Sequence, residues 1–438
     1  MSKILILDPK PDKQYRISKD TSGGYGTAND FGDTFFTNIL KKTLKKIHDW
    51  PPMYVGYIFT ILKNNGHIVT YSNDKNLDFE KFDFIILVSS IVCFETEIEI
   101  LKKIKTIDNK IKVFIIGPFA TNNADEYLQN RGIVVSGEPE FFFINENNFN
   151  AYEDGVLVKS EKKISLDELP FPSWDKIIPN LKISTLFGNE KTLPILATRG
   201  CPYSCFKYCV YPLQQGRTVR HRSPKNIVDE LVHWKKNLNV RSFIFRDPVF
   251  SINKKHTIEL CNEIIKRNLD IKFIIETHLR ILDKNLVQDL KKAGLKGVKV
   301  GIESSNLEVL QDADRYTVTK DDQIEKVNFL EKNKIQVSAM YIIGYPEDTE
   351  KTIIDTLNYS IKLNTSYAQF AVWTPYPGTP VFKEYKDKII ANKFEDFTQY
   401  KLVFKHKNLL PNEIRELLSK CYTKYYLRYN WIKDYIKK

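Results

Sequence analysis

Short apolar runs alternate with longer amphipathic stretches along nearly the whole chain. Residues 3–8 (KILILD) are continuously apolar enough to be a strand buried on both faces, as in a parallel sheet. A loop of about 45 residues containing TSGGYGT precedes the helical pattern MYVGYIFTILKNNG, which stops on Gly66, a residue suited to a helix C-terminus. HIVTYS, FDFIILVSS, IKVFIIGPF and GIVVSGE then read as strands, and ETEIEILKKIKTI and NADEYLQNRG as helices between them. The alternation predicts an α/β, doubly wound, Rossmann-like domain over residues 1–150, with ligands at the carboxyl ends of its strands.

The pattern weakens over residues 151–190, where NAYEDGVLVKSEKK reads as a hairpin turning on Asp-Gly and LDELPFPSWDKIIP as a Pro-rich linker. From Leu193 strand and helix alternate again through six units, from LPILATRG to YAQFAVWTPY. Six consecutive units predict a partial parallel (β/α)6 barrel over residues 191–384, with its chemistry at the strand carboxyl ends. Residues 385–438 read as a helical segment with aromatic residues at helical spacing, more suited to packing on the barrel than to a partner. No repeat of 20 to 50 residues is present.

Composition narrows the classes. With 42% hydrophobic and 27% charged residues among 438, the chain is globular and neither disordered nor fibrous. The longest apolar stretch, residues 82–94, is broken by Asp83, Ser89 and Ser90 and is short of a membrane span. The N-terminal apolar run is too short for a signal peptide, so the expected location is the cytoplasm. The net charge of +12 comes from lysines scattered on helix faces and gathered in the tail. With no basic and aromatic interleaving on a sheet face, nucleic-acid binding is not expected.

Six cysteines are too few for a disulfide framework, yet Cys201, Cys205 and Cys209 fall within nine residues, RGCPYSCFKYCVYP covering them. Three thiolates can hold three irons of a cubane cluster and leave the fourth iron open for a ligand. Structural zinc would need a second cysteine pair, which is missing; three unrelated core thiols are the bland alternative. Cys93, Cys261 and Cys421 stand alone and read as small buried hydrophobes. SGGYG is no dinucleotide fingerprint, because Gly23, Gly24 and Gly26 lie about 15 residues past the strand and open no helix. They form either a loop that closes over a ligand or a plain surface turn.

These motifs resemble, along nearly the whole length, the cobalamin-binding class of the radical S-adenosylmethionine (SAM) enzymes. RGCPYSCFKYCVYP resembles the family's cluster loop, GVKVGIESSNLEVL the segment whose Glu meets SAM, and IETHLR the strand ending in Arg. YIIGYPEDT is similar to the strand and glycine turn near the adenine, PYPGTPVF to the last barrel strand, and LDELPFPSWDKIIP to the interdomain linker. WPPMYVGYIFTILKNNGHIV, ILVSS, IIGPFAT and SGEPE match the cobalamin domain in order. The chain departs from the pattern in its C-x3-C-x3-C spacing, where C-x3-C-x2-C is usual, in Pro248 and Pro118, and in lacking the D-x-H-x-x-G that supplies a histidine below cobalt. His48 and His67 read as helix-end histidines, so the resemblance implies cobalamin held without a His ligand.

The resemblance implies a 4Fe-4S cluster on Cys201, Cys205 and Cys209, and SAM against Tyr208, Arg280, Glu303 and Tyr341. It implies cobalamin against Ser89, Ser90, Gly117, Pro118, Phe119, Gly137 and Glu138. A strand-end ion pair is the alternative role for Glu303. The implied activity is reductive cleavage of SAM to a 5′-deoxyadenosyl radical, with methylation of an unactivated carbon through methylcobalamin. The alternatives are rearrangement, cyclisation or methylthiolation with cobalamin passive or absent, and a cobalamin or iron-sulfur sensor without turnover. Expected partners are a small-molecule substrate and an electron donor such as flavodoxin or ferredoxin; no residue is assigned to the chemical step itself.

Overall fold

The computed structural model describes residues 1–47, 50–160, 165–178, 183–184, 190–315 and 318–436. In chain order come β1 (Lys3–Leu7), a two-stranded antiparallel ribbon of β2 (Ile17–Ser18) and β3 (Thr27–Ala28), then β4 (Ile68–Ser72), β5 (Phe84–Val88), β6 (Lys112–Ile116), β7 (Ile133–Ser136) and β8 (Leu157–Lys159). Six of these form one parallel sheet in the order β4-β1-β5-β6-β7-β8. The order reverses between β1 and β5, and a doubly wound sheet offers its crevice at that switch point.

Two expectations for this half are corrected. The stretch expected to be one long loop contains the helix Phe35–Ile47, whose lysines hid an amphipathic pattern. Residues 157–159, expected in a hairpin, instead pair parallel with β7 as the sixth strand of the first sheet. The linker is firmly held: Trp174 is buried and donates to the Pro194 carbonyl at 3.2 Å, and Thr60 donates to the Phe171 carbonyl at 2.8 Å.

The second half contributes β9 (Ile183–Ser184), β10 (Glu190–Ile195), the short pair β11 (Thr198–Arg199) and β12 (Arg220–His221), then β13 (Ser242–Phe245), β14 (Lys272–Glu276), β15 (Leu295–Glu303), β16 (Gln336–Ile343) and β17 (Tyr367–Val372). The sheet order is β17-β16-β15-β14-β13-β10-β9, six parallel strands with β9 antiparallel at one edge. It is the open half-barrel that six β/α units predict.

An open barrel leaves free edges, and the helix Pro411–Tyr426 covers that of β17. The Tyr422 hydroxyl accepts from the Phe370 amide at 3.1 Å and donates to its carbonyl at 2.9 Å. Tyr426 does the same at Ala368, at 3.1 and 2.6 Å. The C-terminal aromatic spacing is therefore used for packing against the barrel.

Candidate functional site

The loop between β11 and β12 carries the three cysteines over the mouth of the half-barrel. The Gly200 amide donates to the Gln215 side chain at 3.1 Å and the Cys201 amide to the Gly216 carbonyl at 3.2 Å, so both ends of the loop are tied together. Below it the buried Asp247 accepts from the amides of Ala197 (3.1 Å) and Thr198. Burial pushes the Asp247 carboxyl up to about 6, against those hydrogen bonds.

The wider cysteine spacing has a local explanation. The Cys209 amide donates to the Cys205 carbonyl at 3.1 Å, closing a single helical turn. Residues four apart on such a turn share a face, as residues three apart do, so the extra residue keeps the two thiols together. The Cys209 thiol hydrogen-bonds to that of Cys205, which with the Arg315 guanidinium draws the Cys205 thiol below the ordinary thiol range. Cys201 and Cys205 are buried and Cys209 is half-buried. Among the described residues no three His, Cys, Asp or Glu groups converge on a single metal ion. A cubane, by contrast, gives each thiolate its own iron, and three thiols on one short loop suit it.

Glu303 closes β15 in the left-handed region, with φ at 67°. Such a conformation is costly for a residue with a side chain and persists where the surroundings enforce it. Its carboxylate lies 3.2 Å from the guanidinium of Arg315, both side chains being about nine-tenths buried. Arg315 also donates to the Gly301 carbonyl at 3.3 Å and reaches the Cys205 sulfur at 3.6 Å. A Cβ at Gly301 would stand 2.4 Å from the Glu303 carboxylate and 2.7 Å from the Arg315 guanidinium, so a side chain there would push both charged ends aside. Burial pushes the Glu303 carboxyl up and Arg315 draws it back.

The remaining expected residues fall differently. Tyr208 packs edge-on to Tyr345 at 6.4 Å, in the field of Glu303 and Arg315. Arg280 is exposed at the rim, where its charge acts on Tyr203. Tyr341 is buried and stacks on Phe370 at 5.1 Å, facing the C-terminal helix and not the lumen, into which its neighbours Met340 and Ile342 point. Tyr345, just past the strand end, takes the place beside Tyr208. Sequence reasoning missed Arg315 and Tyr345; only the glycine turn before Tyr345 marked it.

In the first half, Ser89, Ser90, Gly117, Pro118, Phe119, Gly137 and Glu138 gather at the carboxyl ends of β5, β6 and β7. Ser89 accepts from the Ala120 amide at 3.2 Å. The Tyr54 hydroxyl beside Gly117 is buried without a hydrogen-bond partner among the described residues, a neutral donor of the kind an amide-rich ring would use. Glu138 instead clamps the halves together, pairing with Arg199 at 2.7 Å and with Arg220, while Glu140 pairs with Arg199. His48 lies outside the described residues; His67 accepts from the Ser2 amide at 3.3 Å, at the opposite end of the sheet.

The glycine loop is neither a surface turn nor an open lid. Gly24, at φ 88°, lies so close to Pro118 that a Cβ would meet the ring at 2.8 Å. Lys19 is fully buried, donating to the Val88 carbonyl at 2.5 Å and pairing with Glu97 at 2.7 Å and Asp8 at 3.3 Å. Arg246, past β13, pairs with Asp20 at 2.7 Å. Residues 16–28 thus cover the crevice and leave about 50 Å³ between the halves. Cobalamin suits the donor chemistry of the crevice, but a space of that size admits a corrin ring only after this segment withdraws.

Residues 195–360 match the Radical SAM superfamily. The chain carries a radical SAM domain. That domain implies an enzyme that uses a 4Fe-4S cluster and SAM. It is 25% identical to an uncharacterised methyltransferase of Pyrococcus horikoshii, over 86% of this chain and 88% of the relative. It is 26% identical to the anaerobic magnesium-protoporphyrin IX monomethyl ester cyclase of Rubrivivax gelatinosus, over 88% and 76% of the two chains. It shares the fold of TsrM, a radical SAM methyltransferase of Kitasatospora setae. The structure of TsrM with tryptophan and aza-SAM superposes at a TM-score of 0.65 and 16% identity, covering 88% of this chain and 76% of that one. TsrM has also been solved with cobalamin and a [4Fe-4S] cluster, at a TM-score of 0.60. No helix among the described residues is long and apolar enough to cross a membrane.

Proposed function

We propose that the chain is a cobalamin-dependent radical SAM methyltransferase acting on an unactivated carbon of a small molecule in the cytoplasm, with a flavodoxin- or ferredoxin-type electron donor. The observation that carries the reading is the buried Glu303–Arg315 pair lying against Cys205 at the barrel mouth. Cys201, Cys205 and Cys209 would hold the cluster, which would bind SAM and supply the electron that cleaves it. Glu303 would accept a hydrogen bond from the SAM amino group, and Tyr208 and Tyr345 would flank its adenine, with Arg280 at the rim. The hydroxyls of Ser89 and Tyr54 and the turns at Gly117, Pro118, Phe119 and Gly137 would hold cobalamin, with Ser90 beside them. Bound, the groups supply a hydrogen-abstracting radical and a transferable methyl; the protein orients them and excludes water.

A second reading, radical chemistry with cobalamin passive or absent, is favoured by the narrow space under residues 16–28. The likeness to a cyclase supports it as well. Anaerobic purification from cobalamin-fed cells separates the two. The methyltransferase should carry about four irons and one cobalt per chain and add one CH2 to its product, as an order-of-magnitude expectation. Iron without cobalt rejects the methylcobalamin reading, and failure of the iron-loaded protein to cleave SAM rejects the radical one.

A further inference from the structure

Beneath the cysteine loop the half-barrel encloses a cavity of about 270 Å³. It lies at the small end of ligand sites, which suits a metabolite-sized guest. Strand alternation fixes what lines it. On β15 every second residue faces inward, so Gly297, Lys299 and Gly301 form a file below Glu303, and β-pairing sets Glu276 directly beside Lys299. Met340 and Gln369 continue the wall on β16 and β17, while Tyr208, Cys209 and Tyr211 form its roof. A guest in this space therefore touches both the cysteine loop and Lys299.

The charges in that wall are unbalanced. Arg16, Arg246 and Lys299 face Glu276 alone. Arg246 is engaged by Asp20 at 2.7 Å, and Arg16 donates to the Asn29 side chain at 2.9 Å. The Lys299 ammonium makes no ion pair or hydrogen bond among the described residues, although Glu276 is its β-neighbour. Burial, then Arg246, destabilise its charged form and lower it to about 8, with Glu276 opposing. A desolvated cation without a close partner is costly, and an anion placed against it removes the cost. The rest of the wall mixes apolar and aromatic residues, Ile342, Val372, Trp373 and Tyr376, with neutral polar ones such as Asn29, Gln369 and Gln399.

We infer that the lumen binds a small substrate bearing a carboxylate or phosphate group, which Lys299 anchors, with Arg246 and Arg16 beside it, so that its apolar body lies under Tyr208 and Cys209. The inference rests on the lumen being the reaction chamber of the proposed enzyme. It assigns Lys299 as a specificity residue, since an uncharged analogue would leave its ammonium unpaired.

The test is calorimetric titration of the full-length, cluster-loaded protein with succinate, with pyrophosphate and with uncharged succinamide. One anion should saturate a single site while succinamide does not bind, and the preferred anion tells carboxylate from phosphate. Lys299→Met should weaken that binding by about tenfold or more, and Lys299→Arg should retain it. Arg16→Gln gives a second variant if Lys299→Met fails to fold, and it should weaken binding in the same direction. Absence of binding by either anion, equal binding of succinamide, or anion binding untouched by Lys299→Met overturns the assignment. Reductive SAM cleavage is measured on the same samples. Cleavage without anion binding rejects the lumen assignment alone, whereas anion binding without cleavage rejects the radical reading and leaves a cationic pocket.

Discussion

Replacing Glu303 by Gln keeps the shape of the side chain and removes its charge, which separates two roles that the structure superimposes. At 3.2 Å, with an effective dielectric of about 20, the attraction to Arg315 is about 5 kcal/mol before desolvation is counted. Stranding one partner of a buried pair costs about 3–5 kcal/mol, so the variant should melt earlier. If the Glu303 carboxylate also accepts from the SAM amino group, a charged hydrogen bond becomes a neutral one in the variant, a loss of about 1.5–3 kcal/mol, or roughly 10- to 150-fold in affinity. The assay is the SAM dissociation constant of cluster-loaded protein, with iron content checked beside it. The double variant Glu303→Gln with Arg315→Met removes both charges and should recover much of the melting temperature. Its SAM affinity should stay low. If the single variant melts early yet binds SAM within about threefold of wild type, Glu303 is only the counterion of Arg315 and the site assignment is wrong.

Three other perturbations follow from the contacts. Gly24→Val forces a branched side chain into a left-handed turn against Pro118; it should cost about 2 kcal/mol or more, read by thermal melting, and lower cobalt uptake if cobalamin enters there. Glu138→Gln removes the carboxylate that Arg199 and Arg220 share between the halves, with Glu140 still paired to Arg199, and should cost about 1.5–3 kcal/mol in denaturant unfolding. Burial pushes the Glu138 carboxyl up, but the two arginines more than offset this and hold it below its ordinary value. Its contribution is therefore present above about pH 4.5 and lost as pH falls further, a dependence that the Gln variant should not show. Tyr426→Phe leaves the Ala368 amide on the barrel edge without its hydroxyl partner; a loss of about 1–3 kcal/mol and faster hydrogen exchange at that amide are expected.

Local pattern determined what could be read ahead of the structure. Continuous apolar runs made β1, β5 and β6 legible, because strands buried on both faces admit few other readings. The helix Phe35–Ile47 was not, since lysines occupy much of its solvent face and blur its period, although Thr34 caps its start by accepting from the Thr37 amide at 3.2 Å. The segment expected to be a hairpin failed for a different reason: three residues can join a sheet through backbone bonds alone, and no side-chain period advertises it. Tyr341 is legible as a strand residue but its facing is not, because the parity of β16 is set by Met340 and Ile342 lining the lumen, one residue to either side.

The site shows where such reading stops in principle. As sequence the cysteine spacing departs from the usual pattern, yet the bond from the Cys209 amide to the Cys205 carbonyl turns the extra residue into one helical turn. Spacing in the chain therefore constrains the site less than the local conformation that spends it. Arg315 is the converse case: it lies twelve residues past Glu303, at no motif position, and becomes part of the site because the helix Leu307–Asp312 returns the chain over the barrel mouth. Once there, it is held by the glycine at 301, since any larger residue would occupy the space where carboxylate and guanidinium meet. Gly301 thus ties the backbone of β15 to the charge beside Cys205. Its replacement by Ala should displace both charged groups at once, whereas Glu303→Gln removes one charge and leaves the geometry.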